Sequence, residues 1–212
     1  PQLDRLVDEL GLQRFAQFED GDLLVERSPR AAPLRMKGYA SSPPSMRLVG
    51  GTGALIAAIS GRLGHTQLRT GQAVRRLRRV GAHVELDSES AAGEVATWRV
   101  DHVLLALPPR LAEASIAFEP PLPPDLARRW GATATWMAPH AKYVAIYDAP
   151  FWRDQGLSGS ARSALGPLAE VHDVSMPGGH AALFGFVGVP ARARRDVPDD
   201  VLRAHCRVQL GR

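Results

Sequence analysis

At 212 residues, with 45% hydrophobic and 23% charged side chains, the chain can bury a real core in one large or two small domains, which excludes an extended disordered class. The formal net charge of +4 comes from scattered arginines; the densest group, Arg75, Arg76, Arg78 and Arg79, alternates with Val74, Leu77 and Val80 as on a half-exposed strand and lacks aromatic stacking partners, so no nucleic-acid partner is expected. One cysteine, Cys206, excludes an internal disulfide and a thiolate metal cluster; with no run near the roughly 20 apolar residues of a membrane helix and no basic-then-apolar leader, no membrane partner is expected and the reducing cytoplasm is the expected compartment.

Residues 4–10, with Leu3, Leu6, Val7 and Leu10 at helical spacing and Gly11 at the C-cap place, predict a short amphipathic helix. Two short strands follow, 13–18 and 23–26, joined by the turn residues Glu19-Asp20-Gly21-Asp22. Residues 27–46, rich in Pro, Ser, Arg and Ala without periodicity, read as a linker. From Gly50 a glycine-rich loop feeds a helix with Leu55, Ile59 and Leu63 on one stripe, closed by Gly64. Strands are then expected at 66–70, in a hairpin of 73–80 and 83–88 through Gly81-Ala82, and at 96–100. Val103 to Leu107 is uninterrupted and apolar, the pattern of a strand buried on both faces, and Pro108-Pro109 stops it.

A proline-rich turn at 119–124 and a short helix at 125–130 lead to the segment Lys142-Tyr143-Val144-Ala145-Ile146-Tyr147, which ends at the corner Pro150-Phe151-Trp152. The two-residue period of a strand sends Tyr143, Ala145 and Tyr147 to one face and Lys142, Val144 and Ile146 to the other, more apolar one. A lone lysine beside an apolar run ordinarily snorkels to water; the alternative is a functional charge. Strands at 158–163, 169–175 and 181–187 and a helix at 198–210 complete the chain. Hairpin-type turns rather than long crossovers separate these strands. The fold class is therefore mixed α/β (α+β), with a largely antiparallel sheet from residues near 13–26 and 140–190.

Gly50-Gly51-Thr52-Gly53 before a helix invites a pyrophosphate-binding reading. Its context favours a tight loop feeding a helix: the preceding strand is only Leu48-Val49, the third glycine position is Ile56, and the next acid is Glu85. His140, His172, His180 and His205 share no ligand spacing, so no metal site is expected. Ser158-Gly159-Ser160 lacks the setting of a hydrolase nucleophile.

Four segments, in order, resemble the flavin-containing monoamine oxidase family: Val49 to Gly53; Gln72 to Arg76; Val103 to Pro109 with Phe118-Glu119-Pro120-Pro121-Leu122-Pro123; and Lys142 to Trp152. Together they cover residues 46–195. The resemblance implies a parent that oxidises the C–N bond of a small amine by hydride transfer to FAD and returns the electrons to oxygen or another acceptor. It implies that Lys142 is catalytic, its ammonium polarising a water at the flavin N5. It places the backbone of Val74 against the adenine end of FAD, Ala106, Leu107 and Pro108 near the cofactor, and Gly50 and Gly51 in its loop.

By the same resemblance, residues 1–45 join the substrate domain through a linker, 46–110 are a remnant of an FAD-binding Rossmann-like domain, and 111–212 form the substrate-binding domain. The G-x-G-x-x-G turn, the ribose-binding acid and the C-terminal flavin-facing aromatic of the family have no counterpart here. The chain is thus expected to be a central piece that does not hold FAD alone, and the alternative reading is a non-catalytic binding module. Apolar surface around Leu104 and Leu105 is expected to be exposed and to drive homo-oligomerisation or contact with a partner.

Overall fold

The computed structural model describes residues 2–212. In chain order its elements are α1 (Gln2–Glu9), β1 (Arg14–Ala16), β2 (Asp22–Glu26), β3 (Leu34–Lys37), β4 (Met46–Leu48), α2 (Gly51–Gly61), β5 (Gln72–Val80), β6 (His83–Ser90), β7 (Val95–Val100), α3 (Pro109–Ser115), β8 (Ala117–Glu119), α4 (Pro124–Gly131), β9 (Ala141–Tyr147), α5 (Phe151–Asp154), β10 (Leu157–Ser163), β11 (Leu168–Asp173), β12 (Ala181–Val187), α6 (Ala191–Arg194) and α7 (Asp199–Leu210). They form two compact units, one made of the chain up to Gly64 together with Pro139–Arg212, the other of His65–Ala138. These boundaries differ from 45/46 and 110/111 because α2 packs on β4, while α3 and α4 pack on each other and close a core under β5.

In the first unit a six-stranded sheet runs in the order β3-β2-β10-β11-β12-β9. All neighbours are antiparallel except β2 and β10. One face carries the core: Leu168, Val171 and Val187 are buried with Cys206 of α7, and Ala141, Tyr143, Leu202 and Leu210 pack around them. Gln209 locks α7 to the sheet, its Oε1 accepting the Leu168 N–H and its Nε2 donating to the Leu168 carbonyl, both at 2.8 Å. Burial raises the Cys206 thiol above its ordinary range, which makes it an inert core residue. At the end of β11 the buried Asp173 carboxylate accepts Trp152 Nε1 at 2.8 Å, Arg153 Nε at 2.9 Å and the Ser175 N–H at 2.7 Å, pinning α5 to the sheet.

The strands expected at 13–18 and 23–26 do not pair with each other. β1 pairs with β4, and β2 enters the large sheet beside β10. The turn between them explains the difference: Gly21 takes φ 104°, and a Cβ there would lie 2.6 Å from the Gly156 carbonyl oxygen. Only a glycine lets the chain graze Gly156, whose carbonyl accepts the Asp22 N–H at 2.9 Å and steers β2 onto β10 rather than back onto β1. The linker expected over 27–46 holds β3, paired with β2, and the start of β4.

The second unit is a four-stranded sheet in the order β7-β6-β5-β8 over a core of Leu77, Ala112 and Ile116. The expected β5–β6 hairpin turns through Gly81 at φ 58°. Three of its arginines are paired within the sheet: Arg75 with Glu89 at 2.7 Å, Arg76 with Asp87 at 2.7 Å, and Arg78 with Glu85. Two expectations fail here. Residues 66–70 form no strand. Val103 to Leu107 runs extended but unpaired, with Val103, Leu105 and Leu107 packed on the Leu77 cluster and Leu104 93% exposed. Both edges of β5 are already taken, by β6 and by β8, so the segment is buried on one side only.

Candidate functional site

Lys142 lies on β9, the edge strand of the six-stranded sheet, as its alternating sequence predicts. The β9–β12 ladder sets Lys142 opposite Phe186, Val144 opposite Phe184 and Ile146 opposite Ala182, and the β11–β12 ladder sets His172 opposite Phe184. Residues directly opposite share a face, so these side chains stand together. The face is open: Val144 is 53% and Ile146 68% exposed. Sequence marked it as the more apolar face, yet α7 covers the other one, where Ala141 and Tyr143 pack on the core around Cys206.

The Lys142 ammonium sits 5.9 Å from the Phe184 ring centroid and 5.8 Å from that of Phe186, and the two rings meet edge to face at 4.7 Å. Beside it opens a cleft of about 360 Å³ lined by Gln17, Arg47, Lys142, His172, Val174 and Phe184. Arg47 is half-buried and donates to Gln17 Oε1 at 3.1 Å. Among the described residues no carboxylate lies within ion-pairing distance of Lys142 or Arg47. The acids nearby are already engaged. His172 Nε2 lies 2.9 Å from Glu170 Oε1, and Glu19 accepts the Ser41 N–H at 2.5 Å and the Ser41 hydroxyl at 2.9 Å.

Gly50 and Gly51 belong to the same compact unit. They link β4 to α2 with φ 76° and 69°, conformations only glycine adopts freely, and Gly51 has no atom within 4 Å of a would-be Cβ. The N-terminus of α2 has no side-chain cap, and the helix contains no buried residue although it is rich in Ala, Leu and Ile. Val74, Ala106, Leu107 and Pro108 lie in the other unit. Val74 flanks a register shift of the β5–β6 ladder between Val74 and Arg76. Ala106 is exposed, Leu107 is half-buried on the Leu77 core, and Pro108 caps α3.

Arg47, Gln17, His172, Phe184 and Phe186 escaped sequence reasoning although they surround the lysine. Only a strand was expected over 181–187; the register with β9 reveals that Phe184 and Phe186 stand on the lysine's face. Arg47 follows directly on the expected linker, in a stretch assigned to no element. Among the described residues no three His, Cys, Asp or Glu side chains gather to hold a metal, and no helix is long and apolar enough to cross a membrane.

The flavin containing amine oxidoreductases match this chain over residues 1–212. Putrescine oxidase of Kocuria rosea is 32% identical over 165 residues, 70% of this chain and 34% of that protein. A probable flavin-containing monoamine oxidase A of Dictyostelium discoideum is 28% identical over 149 residues, 68% of this chain and 30% of that protein. The structure of wild-type putrescine oxidase bound to putrescine superposes with TM-score 0.76 at 16% identity, over 98% of this chain and 67% of that one. The chain spans about a third of the length of the curated relatives it matches.

Proposed function

The chain belongs to the flavin containing amine oxidoreductase family, whose cofactor is FAD, and from that premise we propose that it forms part of an FAD-dependent amine oxidase, with the open face of the six-stranded sheet as its reacting side. The observation that carries this reading is an unpaired lysine on an exposed, aromatic-floored sheet face beside a cleft. A structural lysine is ordinarily paired with an acid; this one stands on the edge strand across from Phe186 with no carboxylate in ion-pairing distance among the described residues.

Oxidising an amine at its C–N bond removes a hydride from carbon and a proton from nitrogen, and FAD, when bound, supplies the hydride acceptor. The residues present fit that group. Gly51 carries no side chain at the α2 N-terminus, where amides and helix dipole favour an anionic group such as a pyrophosphate; the neighbouring Gly50 N–H donates to Met176 Sδ at 3.1 Å. The register shift beside Val74 suits a strand whose backbone meets a ligand. Ala106, Leu107 and Pro108, in the other unit, are proposed as cofactor-binding residues, because the unpaired segment keeps free backbone groups and Ala106 is exposed.

Lys142 is the proposed catalytic residue: its fixed positive charge and N–H donors hold a water at the reacting centre and stabilise negative charge that develops there. Phe184 and Phe186 exclude bulk water beneath the ammonium and give the amine's carbon chain an apolar floor. By role, residues 46–110 are assigned to the cofactor side and 1–45 with 111–212 to the substrate side. A small amine is the proposed substrate class, and the cytoplasm, on the strength of the single buried thiol, the proposed compartment. The test is a flavin absorbance spectrum of the gene product that carries this chain, before and after anaerobic addition of amine. Bound flavin that the amine bleaches supports the reading; a protein that takes up no flavin overturns it.

A further inference from the structure

We infer that His172, held on β11 by Glu170, takes the proton from the substrate's ammonium, so that the amine stands beside Lys142 as its free base. This rests on the proposed oxidase reading and adds a second catalytic residue to it. An alkylammonium ion, like that of lysine, is almost wholly protonated at neutral pH. Its nitrogen then has no lone pair, and the carbon beside it cannot give up a hydride until one is freed, because that pair forms the new bond between carbon and nitrogen.

The ladders lay the open face out as a grid. Lys142 stands opposite Phe186, Phe186 opposite Glu170 and Glu170 opposite Arg162; in the next row Val144 stands opposite Phe184 and Phe184 opposite His172. His172 lines two adjoining clefts. One, of about 360 Å³, also holds Lys142 and Arg47; the other, of about 340 Å³, holds Glu170, Glu19, Arg162 and Tyr39. Two cations therefore share the first cleft with His172, both carboxylates share the second with it, and β12 adds only uncharged rings between Lys142 and Glu170.

An ammonium that enters the first cleft meets like charge, which favours its neutral form. His172 is half-buried there, and histidine is the side chain suited to exchanging a proton near neutral pH. Its Nε2 lies 2.9 Å from Glu170 Oε1. A carboxylate only accepts, so Nε2 carries its proton toward Glu170 and, in the neutral ring, Nδ1 keeps the lone pair. Among the described residues Nδ1 has no protein partner. In the transfer one N–H bond of the ammonium breaks, its electron pair stays on nitrogen, and the proton bonds to Nδ1. Ammonium and imidazole become amine and imidazolium with their total charge unchanged, and the Glu170 carboxylate faces the charge that the ring has gained.

The experiment follows the proton by magnetic resonance of the histidine ring nitrogens, isotopically labelled in the gene product that carries this chain. At about pH 8 the protein is titrated with butan-1-amine, benzylamine and putrescine, and with butyltrimethylammonium, which has no proton to give. His172→Gln identifies the His172 signals. The ring is expected to turn from imidazole to imidazolium with the amines and to stay unchanged with butyltrimethylammonium. Calorimetry in buffers of different ionisation enthalpy counts the same proton: wild type should exchange none with the buffer, because the proton stays in the complex, and His172→Gln should release about one per amine bound. Glu170→Gln keeps the test decisive if His172→Gln does not fold: it should lower the ratio of imidazolium to imidazole at saturating amine at least about tenfold, the scale of one charge-assisted contact. A His172 ring that none of the amines protonates, equal proton release from wild type and His172→Gln, or an unchanged ratio in Glu170→Gln would overturn the inference.

Flavin bleaching separates this inference from the oxidase reading. Its rate in His172→Gln should fall about 10²–10⁴-fold at neutral pH and recover about tenfold per pH unit as free amine accumulates, a profile that a merely structural role would not give. Amines that bleach the flavin and leave His172 unprotonated overturn the proton assignment alone; amines that protonate His172 and bleach nothing support the site and overturn the oxidase reading.

Discussion

Lys142 and Phe186 stand directly opposite each other across the β9–β12 ladder, the ammonium 5.8 Å from the ring centroid on the open face of the sheet. Phe184, the next residue of that face along β12, meets Phe186 edge to face at 4.7 Å and lies 5.9 Å from the same ammonium. The charge is thus held over a rigid apolar floor rather than by an acid.

That floor is predicted to be a coupled pair. Replacing Phe184 and Phe186 by leucine singly and together, with stability measured by urea unfolding, should return a coupling of about 0.5–1.5 kcal/mol, the range for an edge-to-face aromatic pair. Additive effects would show that the two rings act independently.

Asp173→Ala removes the acceptor shared by Trp152, Arg153 and Ser175 at a site where the carboxylate is 1% exposed. Because the Arg153 guanidinium and the Trp152 indole N–H would then lack their partner, we expect a loss of about 3–5 kcal/mol in denaturant unfolding. Arg153 also stacks on Phe18, 4.0 Å from its ring centroid, so the N-terminal segment 13–18 should lose hydrogen-exchange protection with it.

The pH dependence of the β5–β6–β7 sheet follows from two carboxylates. The Thr97 hydroxyl and then Arg76 hold Asp87 below its ordinary range, and Arg78 does the same for Glu85. A depressed native pKa contributes stability above the unfolded carboxylate pKa of about 4 and loses it as pH falls through the native value. Amide protection factors in β5 and β6 should therefore fall below about pH 4, and Thr97→Val should shift the onset upward. Protection independent of pH over that range would refute the assignment.

Leu104 is 93% exposed while its neighbours Val103 and Leu105 pack inward, so the apolar surface anticipated around Leu104 and Leu105 reduces to Leu104. Self-association through it is predicted to weaken in Leu104→Ser, read as a lower average mass by light scattering at high concentration. Equal masses would remove Leu104 from any interface.

Most helices and strands were legible because their period matched their burial. The helix at 4–10, the 73–88 hairpin and the lysine strand each present one stripe or one face to a core. The failures have physical causes of two kinds. Val103–Leu107 reads as a strand but finds no free strand edge, and β2 leaves its sequence neighbour because Gly21 can pass against Gly156. The site was legible only at Lys142. Arg47, His172 and the two phenylalanines reach it through non-local register, which no local pattern encodes.

The central claim, that Lys142 acts on the reacting centre rather than on cofactor retention, is tested most directly by anaerobic stopped-flow reduction of the FAD-loaded gene product with amines, α-amino acids included, in wild type and Lys142→Met. Loss of one preorganised polar contact at the reacting atoms should slow flavin reduction by about 10²–10³-fold at unchanged FAD occupancy. Superposable traces for the two proteins, or loss of FAD from the variant with an unchanged rate in the fraction that retains it, would contradict the account.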